Sequence, residues 1–139
     1  MGERRAALGH VKAVDTNILA RFVLGDDPAQ TMLATQLLRT PCYISDSVLL
    51  ETAWLLSSRF GLDRPALAAT LRDLIELPTV SVGDLEGLRW AIDRFAAGAD
   101  LADMIHIHMA RGADAFVSFE KQLAQRAGPN SPVPVETLG

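Results

Sequence analysis

The stretch VKAVDTNILARF, from Val11 to Phe22, decides how the rest of the chain is interpreted. Its apolar start, Val11–Val14, predicts a short buried strand. The polar residues Asp15–Thr16–Asn17 follow directly, and the helical spacing after them predicts a helix that stops near Gly25. A polar turn between a strand and a helix has two interpretations, because it can cap the helix or form one corner of an active site.

Downstream of this stretch, short apolar runs alternate with helical patterns. Further strands are predicted at CYIS, TVSV and AFVSF, and VPV near the end is predicted as an edge strand. Caps and glycine stops predict helices over about residues 27–39, 46–60, 63–76, 84–97, 101–110 and 121–127, and Asp46 or Ser47 is the predicted cap of the second of these. This alternation predicts an α/β domain with a mainly parallel central sheet of four to five strands flanked by helices. Sites in such sheets form at the carboxyl ends of strands, here just after Val14, Ile44 and Val117.

Composition supports a single globular domain. The chain has 139 residues, of which 49% are apolar and 22% charged, so a core can form. We expect residues 1–10 to be a flexible extension without the features of a secretory signal, and residues 11–139 to be the domain. No apolar run approaches the roughly 20 residues of a membrane helix, so no membrane association is expected. The single cysteine, Cys42, suits a cytoplasmic protein. The net charge of −4 gives no general attraction to nucleic acid.

Acidic residues recur at the predicted strand ends and in the helices that follow, with Asp100 and Asp103 at the start of one helix and Glu51 inside another. The candidates are Asp15, Glu51, Asp100, Asp103 and Glu120. Clustered carboxylates repel one another and raise each other's pKa unless a cation neutralises them. Hard oxygen ligands suit Mg²⁺ or Mn²⁺, and such ions activate water for phosphodiester hydrolysis. The pattern therefore favours metal-assisted cleavage of a phosphodiester.

Each candidate also has a structural interpretation. Asp15 and Asp100 suit helix N-caps. Glu51 stands in the apolar run SVLLETAWLL, where a buried carboxylate is costly, but it can also lie on an exposed helix face. Glu120 alone is typical of a surface residue. The combination of these acids, rather than any single member, carries the information.

Other polar and aromatic residues weigh less. Cys42 is predicted to be a core residue, and Trp54 and Trp90 fit the apolar faces of their helices. His106 and His108 are two residues apart on a predicted helix, so they face different ways and do not form a metal-binding pair. Among them, His106 could line the same rim as Asp103, one helical turn away.

Four blocks of the sequence resemble the PIN domain of the VapC toxin type. They are VDTNILARFVLGDDPAQ, SVLLETAWLL, GADLADMIHIHMAR and DAFVSFEKQLAQRAG, and their order and spacing agree with the family over about Val11–Val135. The resemblance implies a Mg²⁺- or Mn²⁺-dependent ribonuclease with a parallel sheet flanked by helices. It matches the family's first three acids to Asp15, Glu51 and Asp103, and it directs Asp100 toward the same site.

The fourth acidic position departs from the family pattern. The family usually has Thr-Phe-Asp, whereas this chain has Ser118–Phe119–Glu120. Ser118 keeps the hydroxyl, but the Glu120 carboxylate is one methylene longer, which affects a second metal position more than the first. The resemblance also implies that Thr16 and Asn17 steady Asp15. It further implies a cognate antitoxin that neutralises the toxin, and a homodimer.

Three functions compete. The first is a metal-dependent endoribonuclease toxin, with arginines such as Arg21 or Arg111 holding RNA phosphates. The alternative is a catalytically weakened PIN module that binds RNA or a protein partner without cleavage. A phosphate-accepting receiver-like domain is weaker, because Asp15 is followed by Thr16 rather than a second acid and the only late lysine is Lys121.

Overall fold

The structure is a computed structural model that describes residues 10–139. The predicted flexible extension, residues 1–10, therefore lies outside the described residues except for its last position. The chain divides between Gly83 and Asp84 into two compact units, which are described separately below. No helix in residues 10–139 combines the length and apolar character needed to cross a membrane.

The first unit contains a parallel sheet and four helices among its described residues. Its elements in chain order are β1 (Lys12–Ala13), α1 (Thr16–Leu24), α2 (Pro28–Leu38), β2 (Cys42–Tyr43), α3 (Asp46–Ser58), α4 (Arg64–Ile75) and β3 (Val80–Ser81). The strand order is β1-β2-β3, with Lys12 paired to Cys42 and Cys42 paired to Val80. The core of this unit is aliphatic and includes Leu19, Ile44, Leu49, Leu56 and Leu71.

Side-chain caps start the helices of the first unit. Asp27 accepts a hydrogen bond from the Gln30 amide, and Asp63 accepts one from the Ala66 amide, each at 3.0 Å. These two helix starts confirm the predictions. The prediction that Asp46 or Ser47 caps the next helix is wrong, because the Ser45 hydroxyl accepts the Val48 amide bond and Asp46 is already helical.

The first strand differs from the buried strand predicted over Val11–Val14. The ladder covers only Lys12 and Ala13, and both residues are exposed. Val14 is buried, and its amide still donates to the Tyr43 carbonyl at 3.1 Å. The ladder is short because the backbone turns at once into α1, whose cap is Asp15.

The second unit contains two packed helices, a short third helix and a pair of parallel strands. Its elements are α5 (Leu85–Ala96), α6 (Leu101–Met109), β4 (Phe116–Ser118), α7 (Leu123–Ala127) and β5 (Val135–Thr137). The strand predicted at VPV begins two residues later, at Val135. Pro134 has no N–H for the ladder, although its carbonyl accepts a bond from the Phe116 amide at 2.8 Å.

The α/β class is confirmed, but the predicted single sheet of four to five strands is wrong. The pairing found in residues 10–139 gives a three-stranded sheet in the first unit and a two-stranded parallel ladder in the second. Each strand is two or three residues long, so a ladder contains few hydrogen bonds. Strand number was predictable from the apolar runs, whereas pairing depends on contacts between distant residues.

Candidate functional site

The turn after β1 places three polar side chains beside one carboxylate of α3. Asp15, Thr16, Asn17 and Glu51 line one cavity of about 260 Å³ together with Trp54 and Leu55, and we call this the Asp15 cavity. Asp15 is the N-cap of α1, and its Oδ1 accepts a hydrogen bond from the Ile18 amide at 3.1 Å. The two interpretations of this turn are therefore compatible, because the capping side chain also lines a cavity.

Thr16 contacts Glu51 rather than Asp15. Its hydroxyl donates to Glu51 Oε1 at 2.5 Å. Glu51 is exposed despite its apolar sequence surroundings, so its charge stays hydrated and the cost of a buried carboxylate does not arise. Thr16 thus orients Glu51, the second predicted ligand. The sequence predicts a role for Thr16 beside Asp15 but not this bond to Glu51.

A second cavity adjoins Asp15 and Asn17 on the side of α2. It measures about 380 Å³, and Arg21 and Leu33 are among its lining residues. Arg21 forms an ion pair with Asp26 at 2.8 Å. This arginine, predicted to hold RNA phosphates, therefore lines a cavity shared with Asp15, while its guanidinium also pairs within the loop after α1.

The second unit holds the other three predicted acids around one cavity of about 270 Å³. Asp100, Asp103 and Glu120 line it, and we call it the Asp103 cavity. Asp100 is the N-cap of α6, and its Oδ2 accepts a hydrogen bond from the Asp103 amide at 3.0 Å. The two aspartates share a face of the helix start, as their spacing of three residues predicts.

Burial and neighbouring charge act on the Asp103 carboxyl. Burial raises its pKa most, and the negative charge of Asp100 raises the pKa further; His106 lowers it by less than Asp100 raises it, and Glu120 adds a still smaller increase. This is the mutual repulsion expected of clustered carboxylates. A cation at this position would relieve the repulsion and favour the ionised form of Asp103.

The turn that carries Glu120 is held by hydrogen bonds to its own side chains. Ser118 Oγ accepts a bond from the Glu120 amide at 2.9 Å, and Glu120 Oε1 accepts one from the Gln122 amide at 3.2 Å. Ser118 therefore shapes the turn, and one oxygen of Glu120 is engaged by the backbone.

Two cavity residues escaped the sequence interpretation. Trp54 was predicted to be core, which is wrong, because 61% of it is exposed at the Asp15 cavity. The run SVLLETAWLL is apolar almost all round, so its pattern gives no direction for the indole. Arg126 lines the Asp103 cavity and donates to the Gly98 carbonyl at 3.4 Å. The five-residue helix α7 is too short to show a periodic signal.

The remaining predictions have mixed outcomes. Cys42 is fully buried, as expected. His106 is exposed and His108 is buried, which confirms that they face different ways. Arg111 pairs with Asp84 at 3.4 Å and donates to a backbone carbonyl at 3.1 Å, so it is held inside the second unit.

The donor chemistry of both acidic groups suits a hard cation. Mg²⁺ is commonly bound by one or two carboxylates, with water and substrate phosphate completing its octahedron. The Asp15 cavity has two carboxylates, and the Asp103 cavity has three. Within residues 10–139, no group of three or more His, Cys, Asp or Glu side chains is arranged to hold a metal ion. A Mg²⁺ or Mn²⁺ ion at either group would therefore need water or substrate oxygens to complete its coordination.

Comparison with protein families assigns the class of protein. The chain matches the family model described as the PIN domain over residues 12–129, a match that includes parts of both units. The chain therefore belongs to the PIN domain family. PIN domains have a nuclease-type fold and are generally metal-dependent nucleases. A search of curated proteins found no match.

Proposed function

We propose that this PIN domain is a metal-dependent endoribonuclease of the VapC toxin type. One observation carries the proposal: Asp15 and Glu51, which are 36 positions apart in the chain, line one cavity, and the Thr16 hydroxyl holds the Glu51 carboxylate there. Family membership supports a nuclease, and the acidic blocks of the sequence support the toxin type. The substrate is RNA, cut at internal phosphodiester bonds.

The proposal assigns the metal-binding role to the acids of each unit. In the first unit, Asp15 and Glu51 are the proposed principal ligands. In the second unit, Asp103 is the proposed principal ligand, and Asp100 and Glu120 have outer or second-metal roles. When bound, Mg²⁺ or Mn²⁺ would lower the pKa of a coordinated water and stabilise charge on the leaving oxygen.

Residues beside the acids have supporting roles. Thr16 fixes one oxygen of Glu51, and the Asp100 cap fixes the backbone from which Asp103 projects. Ser118 fixes the turn that presents Glu120. In the proposal, Asn17 supplies a neutral amide at the rim of the Asp15 cavity, where it can hydrogen-bond to bound water or substrate without adding negative charge.

The toxin assignment carries expectations about partners. We propose a cognate antitoxin, a homodimer and a cytoplasmic location. The antitoxin and the homodimer rest on the sequence resemblance, and the single cysteine, Cys42, suits the cytoplasm. Met32 and Leu33, two neighbouring exposed apolar residues on α2, are candidates for a partner contact.

Replacing Asp15 with asparagine tests the nuclease proposal. Asparagine caps helices as well as aspartate does, so α1 should be retained while a negative charge and a metal ligand are lost. We expect Mg²⁺-dependent RNA cleavage to fall by more than about 100-fold, because losing a ligand exceeds the 10- to 100-fold effect of losing a supporting residue.

A matched variant controls for the change of cap. Asp63→Asn alters the N-cap of α4, which lines neither cavity at Asp15, and should leave cleavage unchanged. Circular dichroism should show equal helix content in both variants. Full cleavage by Asp15→Asn in nuclease-free preparations would contradict the assignment.

The alternative function is a PIN module that binds RNA or a protein without cutting RNA. The observation that favours it is Glu120, which replaces the shorter acid of the family pattern and has one oxygen bonded to the Gln122 amide. Metal titration separates the two functions. RNA binding without any Mg²⁺- or Mn²⁺-dependent cleavage would support the alternative.

A further inference from the structure

We propose that Trp54 is a stacking platform for a nucleobase of single-stranded RNA. The inference rests on the proposed function, because it takes RNA as the substrate, and it adds a positioning residue to that function. Trp54 lines the Asp15 cavity but is not one of the proposed metal ligands.

The first argument is position. Trp54 follows Glu51 by three residues on α3, so the two side chains project from the same face of the helix, about 5–6 Å apart at their Cβ atoms. Both line the Asp15 cavity, together with Leu55. A nucleotide whose phosphate lies at the carboxylates would place its neighbouring base within reach of the indole.

The second argument is exposure. Trp54 is 61% exposed, whereas the other tryptophan, Trp90, is partly buried and its indole N–H is inaccessible to solvent. A large aromatic side chain gains much free energy by leaving water. An indole left exposed beside the carboxylates of a cavity therefore indicates a surface that a ligand can cover. The exposed part of the indole is accessible to a flat, apolar ligand surface.

The third argument is charge. Asp15 and Glu51 repel phosphate, and the net charge of the chain is −4, so general electrostatics do not supply affinity for RNA. Base stacking on an aromatic ring is an attraction that does not depend on net charge, and it tolerates all four bases. A stacking residue next to the acids would provide binding that the acids alone oppose.

Fluorescence of a single tryptophan tests the contact directly. In a Trp90→Phe protein, the only remaining indole is Trp54. A short single-stranded RNA of mixed sequence is added with Ca²⁺ in place of Mg²⁺, and gels confirm that the RNA stays intact. We expect the RNA to quench Trp54 emission, and an abasic ribose-phosphate chain of equal length to leave it unchanged.

Binding constants of three variants provide the quantitative test. Trp54→Ala should weaken RNA binding about 5- to 100-fold, the range given by loss of one stacked base. Trp54→Phe keeps a ring and should bind within a few-fold of the parent protein. Phe60→Ala removes another exposed aromatic, 42% exposed and outside the Asp15 cavity, and should bind normally. Circular dichroism checks the fold of each variant.

The outcomes separate stacking from catalysis. Base-dependent quenching in a protein that never cleaves RNA would uphold stacking and refute the nuclease. Normal cleavage and normal RNA affinity in Trp54→Ala would refute stacking and leave the nuclease intact. Equal quenching by the abasic chain would overturn the proposal. So would a Trp54 emission that shifts with protein concentration alone, because that would show a second copy covering the indole.

Discussion

The hydrogen bond from Thr16 to Glu51 gives the sharpest prediction about the proposed metal site. Thr16→Val removes the hydroxyl that donates to Glu51 Oε1 but keeps a β-branched side chain of the same shape. Threonine and valine have similar helix propensities, so the start of α1 is not perturbed on that account. The variant isolates the orientation of one carboxylate.

The exposure of Glu51 sets the size of the effect expected for Thr16→Val. Loss of a residue that orients a metal ligand typically costs 10- to 100-fold in metal affinity or activity. Glu51 is exposed, so water can replace the lost donor, and we expect the lower end of this range, about 10-fold. For the same reason the free energy of unfolding should fall by less than about 1 kcal/mol.

The assay is the Mg²⁺ concentration that gives half-maximal RNA cleavage. It should rise about 10-fold in Thr16→Val, as set by the loss of an orienting partner, while Thr16→Ser retains the hydroxyl and stays near the parent value. Urea unfolding shows whether stability has changed. An unaltered Mg²⁺ midpoint in a folded Thr16→Val protein would refute the idea that this bond positions a metal ligand.

Three further predictions concern the second unit. In Gly87→Ala, the new Cβ would overlap the ring nitrogen Nδ1 of the fully buried His108. Overpacking costs about 1–3 kcal/mol, whereas the gain in helix propensity is about 1 kcal/mol, so urea unfolding should show a net loss of stability. This loss should be largely absent when the substitution is made in a His108→Ala protein. A Gly87→Ala protein more stable than the parent would contradict this packing. The raised pKa of Asp103 predicts that the metal-free protein gains stability from this group as pH falls through that raised pKa to the ordinary value of 3.8, because in this range the folded state binds more protons than the unfolded state. Asp100→Asn removes a repelling charge, so carboxyl NMR titration should show a lower Asp103 pKa, and an unchanged pKa would show that the Asp100 charge does not contribute to the shift.

Helix ends were predictable because their signals are local. Asp27, Asp63 and Asp84 each accept a backbone hydrogen bond from three residues ahead, which is the pattern that the sequence interpretation used. The error at Ser45 has the same origin, since three residues able to cap, Ser45, Asp46 and Ser47, stand in a row and only backbone geometry selects among them. Strand pairing was not predictable to this degree, because a ladder such as Lys12 with Cys42 joins residues far apart in the chain.

The candidate site likewise has residues that local sequence predicts and contacts that it does not. Asp15, Asp100 and Glu120 were found because each lies at a predicted element end, where α/β proteins place functional side chains. Asp103 was found by its spacing of three residues from Asp100, and Glu51 because it is the lone carboxylate in an apolar helical run. The bond between Thr16 and Glu51 spans 35 positions and leaves no mark in either local sequence. The exposure of Trp54 was missed because an apolar helix without a polar face does not reveal which side meets solvent.

Two predicted site residues, Asp15 and Asp100, combine a structural role as helix caps with a proposed role as metal ligands. Each caps a helix through one carboxylate oxygen, and each lines a cavity that holds further acids. An alanine at either position would remove the cap, at a cost of about 1 kcal/mol, together with the charge, so lost activity would not identify its cause. Asparagine keeps the cap and removes only the charge. The capping role therefore does not compete with the functional one, because it fixes the backbone of a carboxylate whose charge can be tested separately.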